Sequence, residues 1–247
     1  MGSSPADMTV IGTRTTHVCC RPVEDGGSGD SSLHTARGTL AALGAVAEEV
    51  FGSPELAGRS FGVIGLGAVG GHVARLLHRA GARLVVTDVD PAARGMAEEL
   101  GAAWVDPDGA LHTEVDVLVP AALGGLLSAR TAPLLRCAAV AGPANNQLDD
   151  PATAGLLAAR GILWAPDVVV SAGGVIHATG VELRRESEER LTERIQGIAA
   201  TLRLVFRTAR THRVTPAIAA GRLAGERVRA AAGPSVSRTA ITTTQEG

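Results

Sequence analysis

The chain has 247 residues, 45% of them hydrophobic and 2% aromatic, with a formal net charge of −2. That size allows one large domain, or one and a half ordinary ones, with a full apolar core. The near-neutral charge and the scarcity of aromatic rings exclude a polyanion-binding face and a base-stacking platform, so no nucleic acid is expected as partner.

In chain order, residues 1–33 are rich in Ser, Gly and Asp, and Glu24 to Ser32 read as a loop. A helix is expected from Thr35 to Phe51, because Leu40, Leu43, Val46, Ala47 and Val50 recur at spacings of three and four. Gly52-Ser53-Pro54 ends it. Strands and helices then alternate. Phe61–Ile64 and Arg83–Thr87 read as strands, each followed by a helix, Ala68–Arg79 and Pro91–Leu100, the second opened by proline. Val117–Val119 and Ala138–Ala141 read as short strands, and Leu126–Ala132 and Ala152–Ala159 as helices. Ile162–Trp164 and Val168–Val170 are the last strand candidates. From Glu182 to Arg210 the pattern is one long charged helix striped by Leu191, Ile195, Ile198, Leu202 and Val205, and Pro216–Ala232 is a second. The tail, 233–247, reads as disordered. The alternation predicts an α/β fold, a Rossmann-type doubly wound parallel sheet followed by C-terminal helices.

Cys19, Cys20 and Cys137 are too few and too irregularly spaced for a disulfide framework or a zinc site, so no metal is expected. No apolar run approaches the roughly 18 residues that span a bilayer, and the first 20 residues lack a leader's continuous apolar stretch. The expectation is a cytoplasmic protein without a membrane partner.

One segment has the parts of a dinucleotide site. The strand Phe61–Ile64 runs into Gly65-Leu66-Gly67-Ala68-Val69-Gly70. Gly65 permits a tight turn, Gly67 lets backbone approach a pyrophosphate, and Gly70 lets the helix pack close to the strand. The helix N-terminus offers free N–H groups to the phosphates. Eighteen residues after Gly70, Asp88 ends the next strand. A carboxylate there accepts hydrogen bonds from ribose hydroxyls and repels a 2′-phosphate, which favours NAD over NADP, although Arg94 lies near in sequence.

Two further segments, Ala141 to Leu148 with Ala-Asn-Asn-Gln-Leu at its end, and Ala165 to Ile176 with Ala-Pro-Asp and Ala-Gly-Gly-Val-Ile, make the chain resemble the Glu/Leu/Phe/Val dehydrogenases, most of all the valine and leucine enzymes. The resemblance runs from about Pro5 to Arg229. It implies that Thr35 places a hydroxyl near the cofactor, and that Ala121 and Ala122 line its groove. It also implies that Gly142, Asn145, Asn146 and Ser171 serve the nicotinamide side, with Gly173 and Gly174 letting backbone pass close to the ring. Val175 and Ala178 resemble positions that shape a pocket for an aliphatic side chain. Read alone, Asn145-Asn146 and Gly173-Gly174 are ordinary turns. His34, His72 and His177 read as surface or satisfied histidines.

The match also fails in places. The resemblance implies oxidative deamination of a branched-chain amino acid by NAD, a reaction the family performs with two lysines and an aspartate on a preceding substrate domain. This chain contains no lysine; all 23 basic residues are arginine. Ser171 stands where the family usually has Asn, and Pro143 where a residue with an N–H is common. Met1 to Met8 resembles a family stretch in which the assisting aspartate falls just before Met1, so Asp7 reads as a helix or turn residue. The expectation is therefore an N-terminally truncated dehydrogenase. Residues 1–33 would be a remnant of the substrate domain and 34–232 the NAD-binding domain with its linking helices. Catalytic residues would be missing, a homo-oligomer would form, and the chain alone would be inactive. The alternatives are a non-catalytic NAD-binding protein or gene remnant, and a different Rossmann dehydrogenase working on arginines. With most of a first domain missing, the stripes on Thr35–Phe51 and Leu191–Val205 are expected to face water in part.

Overall fold

The computed structural model describes residues 4–232; the tail expected to be disordered, 233–247, lies outside the described residues, as does Met1. Six strands build one sheet: β1 (Ser60–Ile64), β2 (Arg83–Thr87), β3 (Ala103–Trp104), β4 (Val117–Pro120), β5 (Ala139–Val140) and β6 (Leu163–Trp164). All neighbours are parallel, in the order β3-β2-β1-β4-β5-β6. The chain winds outward from β1 in one direction and from β4 in the other, so a crevice opens between the C-terminal ends of β1 and β4.

The strands are apolar because both faces are covered. Alternate residues feed two cores. Phe61, Val63, Val117 and Val119 face the larger one, and Leu118 and Val140 join Leu127, Leu157 and Trp164 in the smaller. The helices are α1 (Pro5–Gly12), α2 (Ser32–Phe51), α3 (Ala68–Arg79), α4 (Arg94–Glu99), α5 (Thr153–Ala159), α6 (Asp167–Val170), α7 (Gly173–Thr179), α8 (Glu188–His212) and α9 (Pro216–Ala232). None is long and apolar enough to cross a membrane, among the described residues.

The α8 stripe does not face water, and the α2 stripe does so only in part, at the half-buried Leu40 and Val50, which corrects most of the expectation. Helices α2 and α8 pack on each other, and Leu191, Ile195, Ile198, Leu202 and Val205 are all at most 3% exposed. Burying each such side chain contributes about 1.5–3 kcal/mol. Ion pairs Arg203–Glu48 (2.6 Å) and Arg210–Glu49 close the solvent edge of the contact. At Gly38 the packing leaves no room for a side chain: an added Cβ would lie 2.7 Å from Ile198 Cδ1 and 3.0 Å from the Cα of Gly173.

Four local expectations are corrected. Leu126–Ala132 is not a helix. Leu127 bridges Leu148 in parallel, and the Ser128 and Thr131 side chains take the backbone partners a helix would need. Val168–Val170 is not a strand but lies in α6; a short apolar run has no periodicity to separate the two. The long helix does not begin at Glu182. Residues 180–184 continue α7 as a π-helical turn, Arg185 turns left-handed (φ 52°), and α8 starts after Ser187, which caps it through the N–H of Arg190. Pro91–Leu100 splits into a 3₁₀ turn and α4. Beyond the expected elements, α1 begins with a reciprocal cap between Ser4 and Asp7. This gives Asp7 a structural occupation.

Candidate functional site

At the crevice the glycines divide their work. Gly65 has φ +101°, and a Cβ there would meet Ala122 Cβ at 2.8 Å. A Cβ on Gly70 would overlap the Gly65 carbonyl and come within 3.0 Å of Ala121 Cβ. Both positions are dictated by packing of β1 and α3 against the strand end of β4. Gly67 differs: nothing lies within 4 Å of where its Cβ would be. It caps α3 without a side-chain hydrogen bond, so the first-turn N–H groups, those of Ala68 and Val69 among them, have no capping partner among the described residues. Asp88 holds the loop from the other side. Its Oδ2 accepts from the Leu66 N–H at 2.6 Å and its Oδ1 from the Asp90 N–H at 2.9 Å, which leaves lone pairs on both oxygens. A cleft of about 520 Å³ lies beside them, lined by Leu66, Gly67, Arg75, Asp88, Met96 and Glu99 among others. Arg94, the cation noted in the sequence, is not in it; its guanidinium pairs with Asp106 at 3.3 Å and lies over the Trp104 ring. Arg75 is the cation that shares the cleft.

The loops after β4 and β5 form the second wall. Ala121 extends the β1–β4 ladder by donating to the Ile64 carbonyl at 2.8 Å, and Ala122 is exposed beside it. Gly142 sits flush on Pro120, and Gly124 lies under the Asn145 and Asn146 carbonyls. Asn146 is left-handed (φ 53°), as an asparagine tolerates. Both asparagine side chains are exposed, and Asn145 Oδ1 accepts from the Ser171 hydroxyl at 3.3 Å. Two residues expected on the nicotinamide side are thus brought together.

Beneath this loop is an arrangement the sequence did not reveal. Gln147 is fully buried. Its Nε2 donates to the carbonyls of Gly142 (2.7 Å) and Ala144 (3.0 Å), its Oε1 accepts from Trp164 Nε1 (3.1 Å), and its N–H donates to Asp167 Oδ2 (3.0 Å). Nothing local singles it out, because it stands in a polar loop between Asn146 and Leu148-Asp149-Asp150. Gln147→Leu leaves one donor and two carbonyls without partners, at about 1–3 kcal/mol for each group left buried and unsatisfied. The expected result in urea is a midpoint lowered by the equivalent of about 3 kcal/mol at unchanged slope.

Helix α7 forms the third wall. Gly173 and Gly174 are not a strand-to-helix turn; they open α7, and the room beside them is taken by α2. A Cβ on Gly173 would overlap the His34 carbonyl, and one on Gly174 the Thr35 hydroxyl. Thr35 Oγ1 donates to the Ser31 carbonyl at 3.0 Å. Both expected pocket residues lie on α7, Val175 67% exposed and Ala178 buried. Glu182, in the π-helical turn, ties the N-terminal segment to α7. It accepts from the N–H of Cys20 (2.7 Å) and from the N–H (2.9 Å) and hydroxyl (2.6 Å) of Ser28. Burial works against its charge, but those bonds outweigh it and hold the carboxyl below its usual range.

The histidines are the last correction. His34 and His177 stack with centroids 3.4 Å apart and planes within 10°, and His177 Nδ1 is buried with no partner among the described residues. Burial, then His177 and Arg37, push His34 down to about 4, against Glu188 and Asp30. His177 is lowered by burial, with Arg37 adding and Glu188 and Glu182 opposing. Both imidazoles are therefore neutral in the fold at pH 7, while the unfolded chain takes up protons near 6.5. Stability is complete above that value and falls as pH drops from 6.5 towards 4, by up to about 1.4 kcal/mol per pH unit for each linked proton. Melting curves over that window should show the fall, and His34→Phe/His177→Phe should flatten it.

Residues 89–233 match the family of Glutamate/Leucine/Phenylalanine/Valine dehydrogenases. The chain belongs to this family. Residues 32–124, the phosphate loop included, also match the NAD-binding domain of the D-isomer specific 2-hydroxyacid dehydrogenases, so the crevice lies in an NAD-binding domain. Among relatives, the leucine dehydrogenase of Geobacillus stearothermophilus is 38% identical over 92% of this chain and 62% of its own length. The valine dehydrogenase of Streptomyces coelicolor is 39% identical over 92% and 64%. The crystal structure of L-tryptophan dehydrogenase from Nostoc punctiforme superposes with a TM-score of 0.77 at 36% identity, covering 80% of this chain and 60% of that one. A hetero-hexameric glutamate dehydrogenase from Thermus thermophilus gives 0.74 at 27%, covering 92% and 61%. The chain thus spans about three fifths of the length of the family members it matches.

Proposed function

We propose that this chain binds NAD(H) across the β1–β4 crevice and represents the cofactor-binding part of a dehydrogenase that deaminates a branched-chain amino acid to its 2-oxo acid. The carrying observation is the cradle itself: Gly65 and Gly70 are fixed by packing, whereas Gly67 fronts empty space at the N-terminus of α3. In this reading the N–H groups from Gly67 to Gly70 hold the pyrophosphate. Asp88, already orienting the loop through Leu66, accepts from the adenosine ribose hydroxyls. Thr35, Ala121, Ala122 and Gly142 border the nicotinamide half, Asn145 and Ser171 orient it, and Val175 with Ala178 borders the aliphatic side chain. Bound there, the nicotinamide supplies the hydride acceptor for a CH–NH₂ carbon.

The substrate class is supported by the leucine and valine dehydrogenases among the relatives. Residues 34–232 form the NAD-binding unit in this reading, and the segment before them faces the substrate side, tethered by Glu182. A homo-oligomer belongs to it too; the hetero-hexameric Thermus thermophilus neighbour supports assembly as such, not identical subunits. The lysine-free sequence favours a second reading, an NAD-binding protein without turnover of its own. NADH and NADPH fluorescence titrations test the first step. Tighter binding of NADH is expected, since Asp88 faces the ribose and Arg94 is occupied elsewhere. Tighter binding of NADPH would refute the role of Asp88 and point to Arg75 as a phosphate partner.

A further inference from the structure

A groove of about 580 Å³ runs between α2 and α8, and none of its lining residues belongs to the NAD crevice. On α2 it is lined at helical spacing by Arg37, Leu40, Ala41 and Gly44. The floor is apolar: Ile195 of α8 is 3% exposed and Leu56, from the loop before β1, 8%. Gly44 keeps the groove open, because a Cβ there would have only the Pro54 carbonyl near it, at 3.7 Å. Thr192 and Gln196 supply the rim with hydrogen-bonding groups. No carboxylate lines the groove, and Arg37 is exposed and forms no ion pair among the described residues.

An apolar concavity of this size with a few convergent polar groups has the character of a small-molecule site. Its charge is one-sided: a single planar guanidinium at the mouth matches a carboxylate in a two-point contact. One cation balances a monoanion, whereas a phosphate monoester would leave charge uncompensated. We propose that the groove binds a small carboxylate with an aliphatic body, its carboxylate on Arg37 and its chain over Leu40, Leu56 and Ile195. This proposal does not rest on the NAD reading. NADH titrations of the same samples keep the two apart.

The test is calorimetric titration of the full chain with octanoate, against octylammonium, which has a matching tail and opposite charge, and acetate, which has the head alone. Octanoate is expected to bind saturably with a Kd of about 1 mM or tighter, and the two controls at least tenfold more weakly. Arg37→Gln should weaken octanoate at least tenfold, and Gly44→Leu should abolish its binding by filling the groove. Absence of octanoate binding, equal binding of octylammonium, or an unchanged Kd in Arg37→Gln overturns the proposal. Circular dichroism checks that Gly44→Leu folds; should it not, the exposed Arg37→Gln comparison alone decides.

Discussion

Gly67→Val is expected to weaken NADH binding at least about 100-fold, the equivalent of about 2.7 kcal/mol, while leaving the melting temperature almost unchanged. The two halves of that result have separate causes. A Cβ at Gly67 meets nothing within 4 Å in the folded chain, and its φ of −63° suits any residue. The stability cost should stay within the roughly 0.5 kcal/mol of an ordinary surface change. The same side chain would stand where a pyrophosphate approaches the first turn of α3. Gly70→Val is the contrasting substitution: its Cβ would overlap the Gly65 carbonyl and crowd Ala121, so it should lower stability and binding together. Fluorescence titration with NADH, paired with thermal melting, separates the two. A Gly67→Val chain that binds NADH as the parent does would mean that the dinucleotide lies elsewhere.

Purified residues 1–247 are expected to form no measurable NADH with valine or leucine, even where NAD is bound. Deamination needs a group that takes a proton from the amine or from attacking water. Removing one such group commonly costs about 10²–10⁴-fold in rate. The lysines that the family uses have no counterpart in this sequence. The two histidines beside Thr35 and Ala178, His34 and His177, stack on each other between α2 and α7, and His177 is only 6% exposed. A spectrophotometric assay at 340 nm checks this. Saturable turnover would show that another base has taken over. Its pH–rate profile would then tell an imidazole from a carboxylate.

The legible parts of this molecule were those governed by strong local rules. The strand ending at Gly65, helix Ala68–Arg79 and Asp88 at the end of β2 follow from glycine sterics and alternating periodicity, and each lies where the sequence placed it. The long amphipathic helix was legible in its stripe but neither in its start nor in its partner: the stripe from Leu191 to Val205 announced burial, yet only the three-dimensional fold shows α2 covering it. Short elements were misread where side chains compete with backbone, as at Ser128 and Thr131, or where three apolar residues carry no period, as at Val168–Val170. The least legible features join residues far apart in sequence. Gln147 meets Trp164 and Asp167, His34 meets His177, and Glu182 meets Ser28. No local spacing foretells such pairs, because what they satisfy is the polarity of a particular interior.

The sheet's two outermost strands, β3 and β6, are each only two residues long. An exposed strand edge is a template on which another chain can add itself, and its hazard grows with its length. Here a stray chain finds a ladder of two residues on either side, too short to hold a register. On one side the Arg94 guanidinium lies over Trp104, placing a charge beside the edge. Resistance to edge-to-edge aggregation therefore comes with the topology: the long, apolar strands β1 and β4 lie at the centre, and the sheet tapers outward to margins that offer almost nothing to grow on.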